Sequence, residues 1–228
     1  MDARDKYLNN PCETAIGPYY NTIRSGLRRD MLIVNDEKYN EILYRDYDDT
    51  KFIKMVNDYE VMKMRPLNDH YFLRTVGEDN LKNLVNLFNV CYDQEKINQD
   101  DVTKMRKSDY CHKDFWIYAF SKREFTVDKE KKEKIYPPIG FIIADYDEAM
   151  GEVFIKYLGI KEEYRERGLA YALLKELIFR AYGISQFATV TFPMDNPYNL
   201  QSLFLKTNFK NPVVWHQLKK KTEKEPTK

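Results

Sequence analysis

No apolar run in this 228-residue chain approaches the length of a membrane-spanning helix, about 20 residues. The N-terminus, Met1-Asp2-Ala3-Arg4-Asp5, has no apolar signal core, so the chain reads as cytoplasmic with no membrane partner. Cysteine is scarce: three residues (Cys12, Cys91, Cys111), an odd count, widely spaced and without a CxxC. That excludes a disulfide scaffold and fits a reducing compartment. Cys91 falls in a predicted helix and Cys111 precedes a predicted strand, so neither has the setting of a catalytic triad. His70, His112 and His216 are isolated, which leaves no ligand spacing for a metal. Neither sign of charge dominates: Lys+Arg 37 against Asp+Glu 36 leaves +1, with no basic field for nucleic acid. The lysines of 129–134 and 219–221 read as solvated faces.

What is present is a globular composition, 43% hydrophobic and 32% charged, with length for one filled domain plus an extension and no internal repeat. In residues 1–68, Asn10-Pro11-Cys12 and Gly17-Pro18-Tyr19-Tyr20 are turn-like. Met31–Val34 and Phe52–Val56 suggest short strands and Glu37–Tyr44 a short helix. Their apolar residues are few and scattered, so the segment is expected to pack onto the main domain rather than fold alone. From Asp69 the pattern sharpens. Tyr71–Val76 is β-rich, and Gly77-Glu78-Asp79 caps a helix with Leu81, Leu84, Val85 and Phe88 on one face. A second helix spans Asp100–Lys107, and Phe115–Phe120 is a strand. Lys122–Lys134 reads as a mobile charged hairpin loop. Ile139–Tyr146 and Glu152–Ile160 are strands joined by a turn, hence antiparallel neighbours. Leu169, Leu173, Leu177 and Ala181 stack on a helix over Gly168–Tyr182, which Gly183 ends. A strand at Ala188–Phe192, a helix across 198–207 and a strand at Val213–Gln217 follow. Residues 218–228 form a Lys-rich tail expected to be disordered.

The stretch Tyr164-Arg165-Glu166-Arg167-Gly168-Leu169-Ala170 lies where a strand hands over to a helix N-terminus. There backbone N–H groups lack intrahelical partners and the dipole is positive. Gly168 lets another molecule approach the main chain, Ala170 adds only a methyl group, and two guanidinium groups stand beside them. The combination suits a diphosphate. An ordinary turn with solvated arginines would not require small residues at both 168 and 170.

The order β, α, α, β, β, β, α, β, α, β from Tyr71 onward, with Arg165-x-x-Gly168-x-Ala170 at its fourth strand-to-helix junction, resembles the GNAT superfamily of N-acetyltransferases. That family's motif there is Gln/Arg-x-x-Gly-x-Gly/Ala. Leu158-Gly159-Ile160 and Tyr164-Arg165 look like its strand end and loop approach. Asn196 and the run Leu203-Phe204-Leu205-Lys206-Thr207-Asn208-Phe209 look like its last helix and turn. The resemblance covers residues 69–217. It implies an α+β fold with a central mixed, mostly antiparallel sheet flanked by helices, the N-terminal extension lying outside it.

The resemblance implies an acetyl-CoA co-substrate and no metal. Its pyrophosphate would rest on the amides of Arg165, Glu166, Arg167, Gly168, Leu169 and Ala170, with Tyr171 next in line and Asn196 nearby. Each charge–dipole contact is worth roughly 0.3–1 kcal/mol, and the arginines add charge-assisted bonds. The pantetheine arm would lie along the fourth strand, pairing with main-chain groups of Leu158 and Ile160. An N–H near Leu158 or Gly159 would polarise the thioester carbonyl. The side chains of Leu158 and Ile160 can pack in the core at the same time. Many members carry a tyrosine, as acid for the CoA thiolate, where this chain has Phe204; Ser202, Tyr198 or water are the substitutes here. Asn208 stands where glycine is usual, and Asn tolerates the left-handed conformation.

No motif fixes the base. If Asp147 pairs with Glu152, Asp145 pairs with Phe154 and lies on the face of Phe154, Lys156 and Leu158, where it could act through a water. A solvated hairpin carboxylate is the other reading. Asp145, Asp147, Glu148 and Glu152 together hint at a cationic acceptor amine, on a small molecule or a protein. The expected function is transfer of an acetyl group to a primary amine by direct attack, in a monomer or homodimer. The alternative, motivated by Phe204, is a non-catalytic acyl-CoA-binding or interaction module.

Overall fold

The computed structural model describes residues 31–59, 67–92, 95–130 and 132–221. Cys12, the turns at 10–20 and the tail from 222 lie outside them. Eight strands form one sheet: β1 (Met31–Asn35), β2 (Tyr47–Asn57), β3 (Tyr71–Thr75), β4 (Cys111–Ser121), β7 (Pro138–Asp147), β8 (Glu152–Ile160), β9 (Phe187–Pro193) and β10 (Lys210–Lys220). Their order is β1-β10-β2-β9-β8-β7-β4-β3. Every pairing is antiparallel except β8 with β9. The helices are α1 (Leu81–Cys91), α2 (Gln99–Arg106), α3 (Leu169–Ala181) and α4 (Leu200–Lys206). This is the expected α+β fold.

The central strands are buried on both sides because alternate residues feed different cores. Ile117, Ile142 and Ala144 join Leu173, Leu174 and Leu177 of α3 and Phe204 of α4. Trp116, Tyr118, Phe141 and Ile143 join Leu84, Leu87 and Phe88 of α1 and Val102 of α2. The apolar stripes that mark α1 and α3 in sequence are therefore the faces they bury. Asn98 caps α2 by accepting from the N–H groups of Asp100 and Asp101, while the Asp101 carboxylate accepts from the Asn98 N–H.

Several boundaries differ from the sequence reading. In place of a helix over 37–44 there is a 3-10 turn, Asp36–Lys38, followed by turns. Local side-chain bonds outcompete the helix there: Asn35 Oδ1 accepts from the Glu37 N–H, and Asn40 Oδ1 from those of Ile42 and Leu43. The segment 122–134 carries the start of a small hairpin, β5 (Thr126–Val127) with β6 (Lys134–Ile135). Residues 31–57 are not an appendage: β2 lies inside the sheet, between β10 and β9. Leu218, Lys219 and Lys220, assigned by sequence to the tail, belong to β10 and pair with β1 or β2. On this side His216 is buried against Tyr39, with ring centroids 3.8 Å apart. Its Nδ1 is 2.8 Å from Asp49 and its Nε2 2.8 Å from Asp36.

The hairpin β7–β8 has the expected register, Asp147 opposite Glu152 and Asp145 opposite Phe154. It then slips. Ala144 faces Ile155 but Ile143 faces Tyr157, so Lys156 is an extra residue in β8. Such a bulge bends its strand. Beyond it β8 leaves β9, whose last pair with it is Val190 opposite Ile155, while β9 continues beside β2 to Pro193. A gap opens in the middle of the sheet, and α3 begins beside it.

Candidate active site

Gly168 is the N-cap of α3 at φ 79°, ψ 5°, a left-handed conformation that favours glycine, and no side chain caps the helix. A Cβ at Gly168 would meet nothing among the described residues within 4 Å, so the main chain is open to them there. Buried Tyr164 and Leu169 pin the two ends of the loop to the core. Between them the first-turn amides, free of intrahelical partners, border a cleft of about 510 Å³ lined by Leu67, Asn68, Arg167, Gly168, Tyr171, Ala172 and Lys206. Two basic side chains and an uncapped helix N-terminus give this cleft a positive lining, an arrangement suited to an anion.

The arginines have separate settings. Arg167 lines the cleft, its guanidinium 5.3 Å over the Tyr164 ring. Arg165 turns back: its Nε donates to the Ile160 carbonyl at 3.2 Å, and its guanidinium lies 4.8 Å over the Tyr198 ring. Glu166 is also left-handed, at φ 60°.

The edge of β8 in the gap is defined by alternation. The Lys161 N–H donates to the Ile139 carbonyl of β7. Gly159 therefore also faces β7, and Leu158 and Ile160 turn their N–H and C=O groups into the gap. Two side chains occupy these groups. Arg165 takes the Ile160 carbonyl. The Tyr92 hydroxyl accepts from the Leu158 N–H at 3.1 Å and donates to the Leu158 carbonyl at 3.0 Å. Gly159 owes its lack of a side chain to packing: a Cβ there would lie 2.6 Å from Phe141 Cε1 and 3.0 Å from Cys91 Cβ.

Asp145 is 1% exposed, with Oδ2 3.0 Å from Lys156 Nζ and Oδ1 without a hydrogen-bond partner among the described residues. Burial pushes its carboxyl above the usual range, and Lys156 pulls it part of the way back. The bulge corrects its expected placement. Asp145 shares a face with Ile143 and Tyr157, whereas Leu158 packs with the α3 core on the other face. Tyr198 is exposed and Ser202 half-buried near the start of α4. Asn196 Oδ1 accepts from the Tyr198 N–H, closing the turn between them. Phe204 is 2% exposed, packed between Phe192 and Phe209. Asn208 takes the left-handed conformation, φ 63°. Burial pushes the Cys91 thiol up to about 11 and also raises Cys111, so neither is poised as a thiolate. Among the described residues no group of three His, Cys, Asp or Glu is arranged to hold a metal, and no helix is long and apolar enough to cross a membrane.

Tyr92 is the residue that sequence reasoning missed. It follows Phe88 by four positions and extends the stripe of α1 by one turn, which is the signal that could have found it.

Residues 81–203 match the model of the acetyltransferase (GNAT) family, and the chain belongs to that family. Solved structures share the fold. A GCN5-related N-acetyltransferase from Sphaerobacter thermophilus is 15% identical, with a TM-score of 0.61 over 84% of this chain and 60% of that one. A conserved protein of unknown function from Staphylococcus epidermidis is 14% identical, with a TM-score of 0.56 over 97% and 82%. A GNAT acetyltransferase from Colwellia psychrerythraea is 10% identical, with a TM-score of 0.55 over 82% and 64%. The chain thus spans less than two thirds of the length of the Sphaerobacter and Colwellia proteins. No curated protein matches it.

Proposed function

We propose that this chain is an acetyl-CoA-dependent N-acetyltransferase acting on a primary amine. The observation that carries the reading is the uncapped N-terminus of α3, with Gly168 open to a basic cleft beside an edge of β8 that no strand among the described residues covers. The diphosphate of acetyl-CoA rests on the amides from Arg165 to Ala170, with Arg167 and Lys206 supplying charge. The pantetheine arm runs along Leu158 and Ile160, and the Leu158 N–H polarises the thioester carbonyl. A preorganised donor of this kind is worth about 3 kcal/mol in the transition state.

A neutral amine attacks the carbonyl carbon, the C–N bond forms, the C–S bond breaks, and the electron pair leaves with sulfur. The ammonium proton passes to Asp145 through a chain of waters, since the bulge turns that carboxylate away from the face of Leu158, and the thiolate takes its proton from water, with Ser202 and Tyr198 as the alternatives. That Asp145 Oδ1 has no partner among the described residues, and so is free to take a proton, supports its role as the base. The acceptor is a small-molecule or protein amine, the setting cytoplasmic, and the molecule a monomer or homodimer. Calorimetry with acetyl-CoA and CoA tests the donor site. Gly168→Glu places a carboxylate in the open space and should weaken binding at least 10-fold; equal binding by both proteins sinks the site.

Buried Phe204, which has no hydroxyl to offer a leaving thiolate, favours a second reading: an acyl-CoA-binding module without turnover. A panel of amines assayed by release of CoA thiol decides between them. Turnover well above hydrolysis on any amine rejects the module.

A further inference from the structure

The Tyr92 hydroxyl on the open edge of β8 has no role in the reaction as drawn above. Its ring is stacked on Phe88, centroids 4.6 Å apart, and meets Tyr157 edge-on at 5.9 Å. Its own N–H closes the last turn of α1 on the Phe88 carbonyl. The hydroxyl is therefore carried to Leu158 by a helix end and an aromatic stack. There a single O–H group does what a neighbouring strand would do, accepting from the Leu158 N–H and donating to its carbonyl. The other hydroxyls offered for the chemistry are differently placed: that of Tyr198 lies 3.4 Å from Arg165 Nη1 on an exposed side chain, and Ser202 is half-buried on α4.

We propose that Tyr92 is a second oxyanion donor of this site. The acyl oxygen enters between the Leu158 N–H and the Tyr92 O–H, displaces the hydroxyl from Leu158, and takes a hydrogen bond from each. The inference rests on the acetyl-CoA reading above. When the amine attacks, the carbonyl π pair moves onto the oxygen held by the two donors. When the carbonyl re-forms, the C–S pair leaves with sulfur, and Tyr92 neither gains nor loses a proton. Burial pushes the Tyr92 phenol up to about 12, so it stays protonated at neutral pH, as a hydrogen-bond donor must. Parked on Leu158, the hydroxyl also competes with the donor, and its two bonds must break before acetyl-CoA can seat.

The test needs no knowledge of the acceptor. Acetyl-CoA labelled with ¹³C at the carbonyl reports polarisation through its chemical shift on binding. The wild-type protein should move the resonance downfield and Tyr92→Phe, which keeps the ring, should move it less. CoA, which has no acyl oxygen, should bind Tyr92→Phe at least as tightly as wild type. On any amine that is turned over, kcat should fall 10²- to 10³-fold with KM for acetyl-CoA no higher. Equal carbonyl shifts in the two proteins overturn the proposal. So does a parallel loss of affinity for CoA and acetyl-CoA, which would make Tyr92 a packing residue. If wild type binds no acetyl-CoA, the donor reading falls and this inference with it; if wild type binds and the shifts are equal, only the role of Tyr92 falls.

Discussion

Asp145 and Lys156 show how one residue sets the chemistry of another. Burial raises the Asp145 carboxyl above its ordinary range, and Lys156 pulls it part of the way back down. Lys156→Met removes the lowering influence. The acid limb of the rate–pH profile should then move to higher pH, as measured on whichever amine is turned over; an unmoved limb would remove Asp145 as the base. Stability carries the same sign. A carboxyl raised in the folded state stabilises below its unfolded value and loses that contribution as pH rises through the folded value. The register of Asp145 was legible, because the four-residue turn at 148–151 pairs Asp147 with Glu152. Its separation from the face of Leu158 was not, because an inserted residue leaves no mark in a β-rich run.

At the scale of elements, α1 and β8 approach so closely that only glycine fits at 159. Gly159→Ala should cost about 1–3 kcal/mol by overpacking against Phe141 and Cys91, read as a lower denaturant midpoint. The same close approach brings Tyr92 to Leu158, so the variant should also disturb donor binding. Helix faces were legible: Leu84 and Phe88 of α1 and Leu173 and Leu177 of α3 are buried where a 3.6-residue period puts them. The handover from loop to helix at 168 was legible for a physical reason, since the N-cap of α3 takes the left-handed conformation that favours glycine. The 37–44 segment was misread because Asn35 and Asn40 divert backbone donors that a helix would use.

For the whole molecule, the decisive feature is that β2 is an interior strand. Phe52, Ile53, Met55 and Val56 are buried, and β2 hydrogen-bonds on both sides, to β10 and β9. A chain beginning at Asp69 would keep every part of the GNAT motif yet expose the edges of β9 and β10. It should fail to fold cooperatively, giving no sigmoidal thermal transition by circular dichroism; a sharp transition near that of the full chain would show that residues 31–57 are dispensable. His216 joins the same regions, bridging Asp36 and Asp49 across β10.

The sequence by itself determined the helices, the β7–β8 hairpin and the open loop at Gly168, because each depends on local periodicity, turn chemistry or the size of one side chain. The tertiary structure alone decided that β2 lies inside the sheet, that Lys156 bulges and splits β8 from β9, and that the Tyr92 hydroxyl sits on Leu158. Those depend on contacts between segments far apart in the chain, such as the 66 residues that separate Tyr92 from Leu158, and no local pattern encodes them.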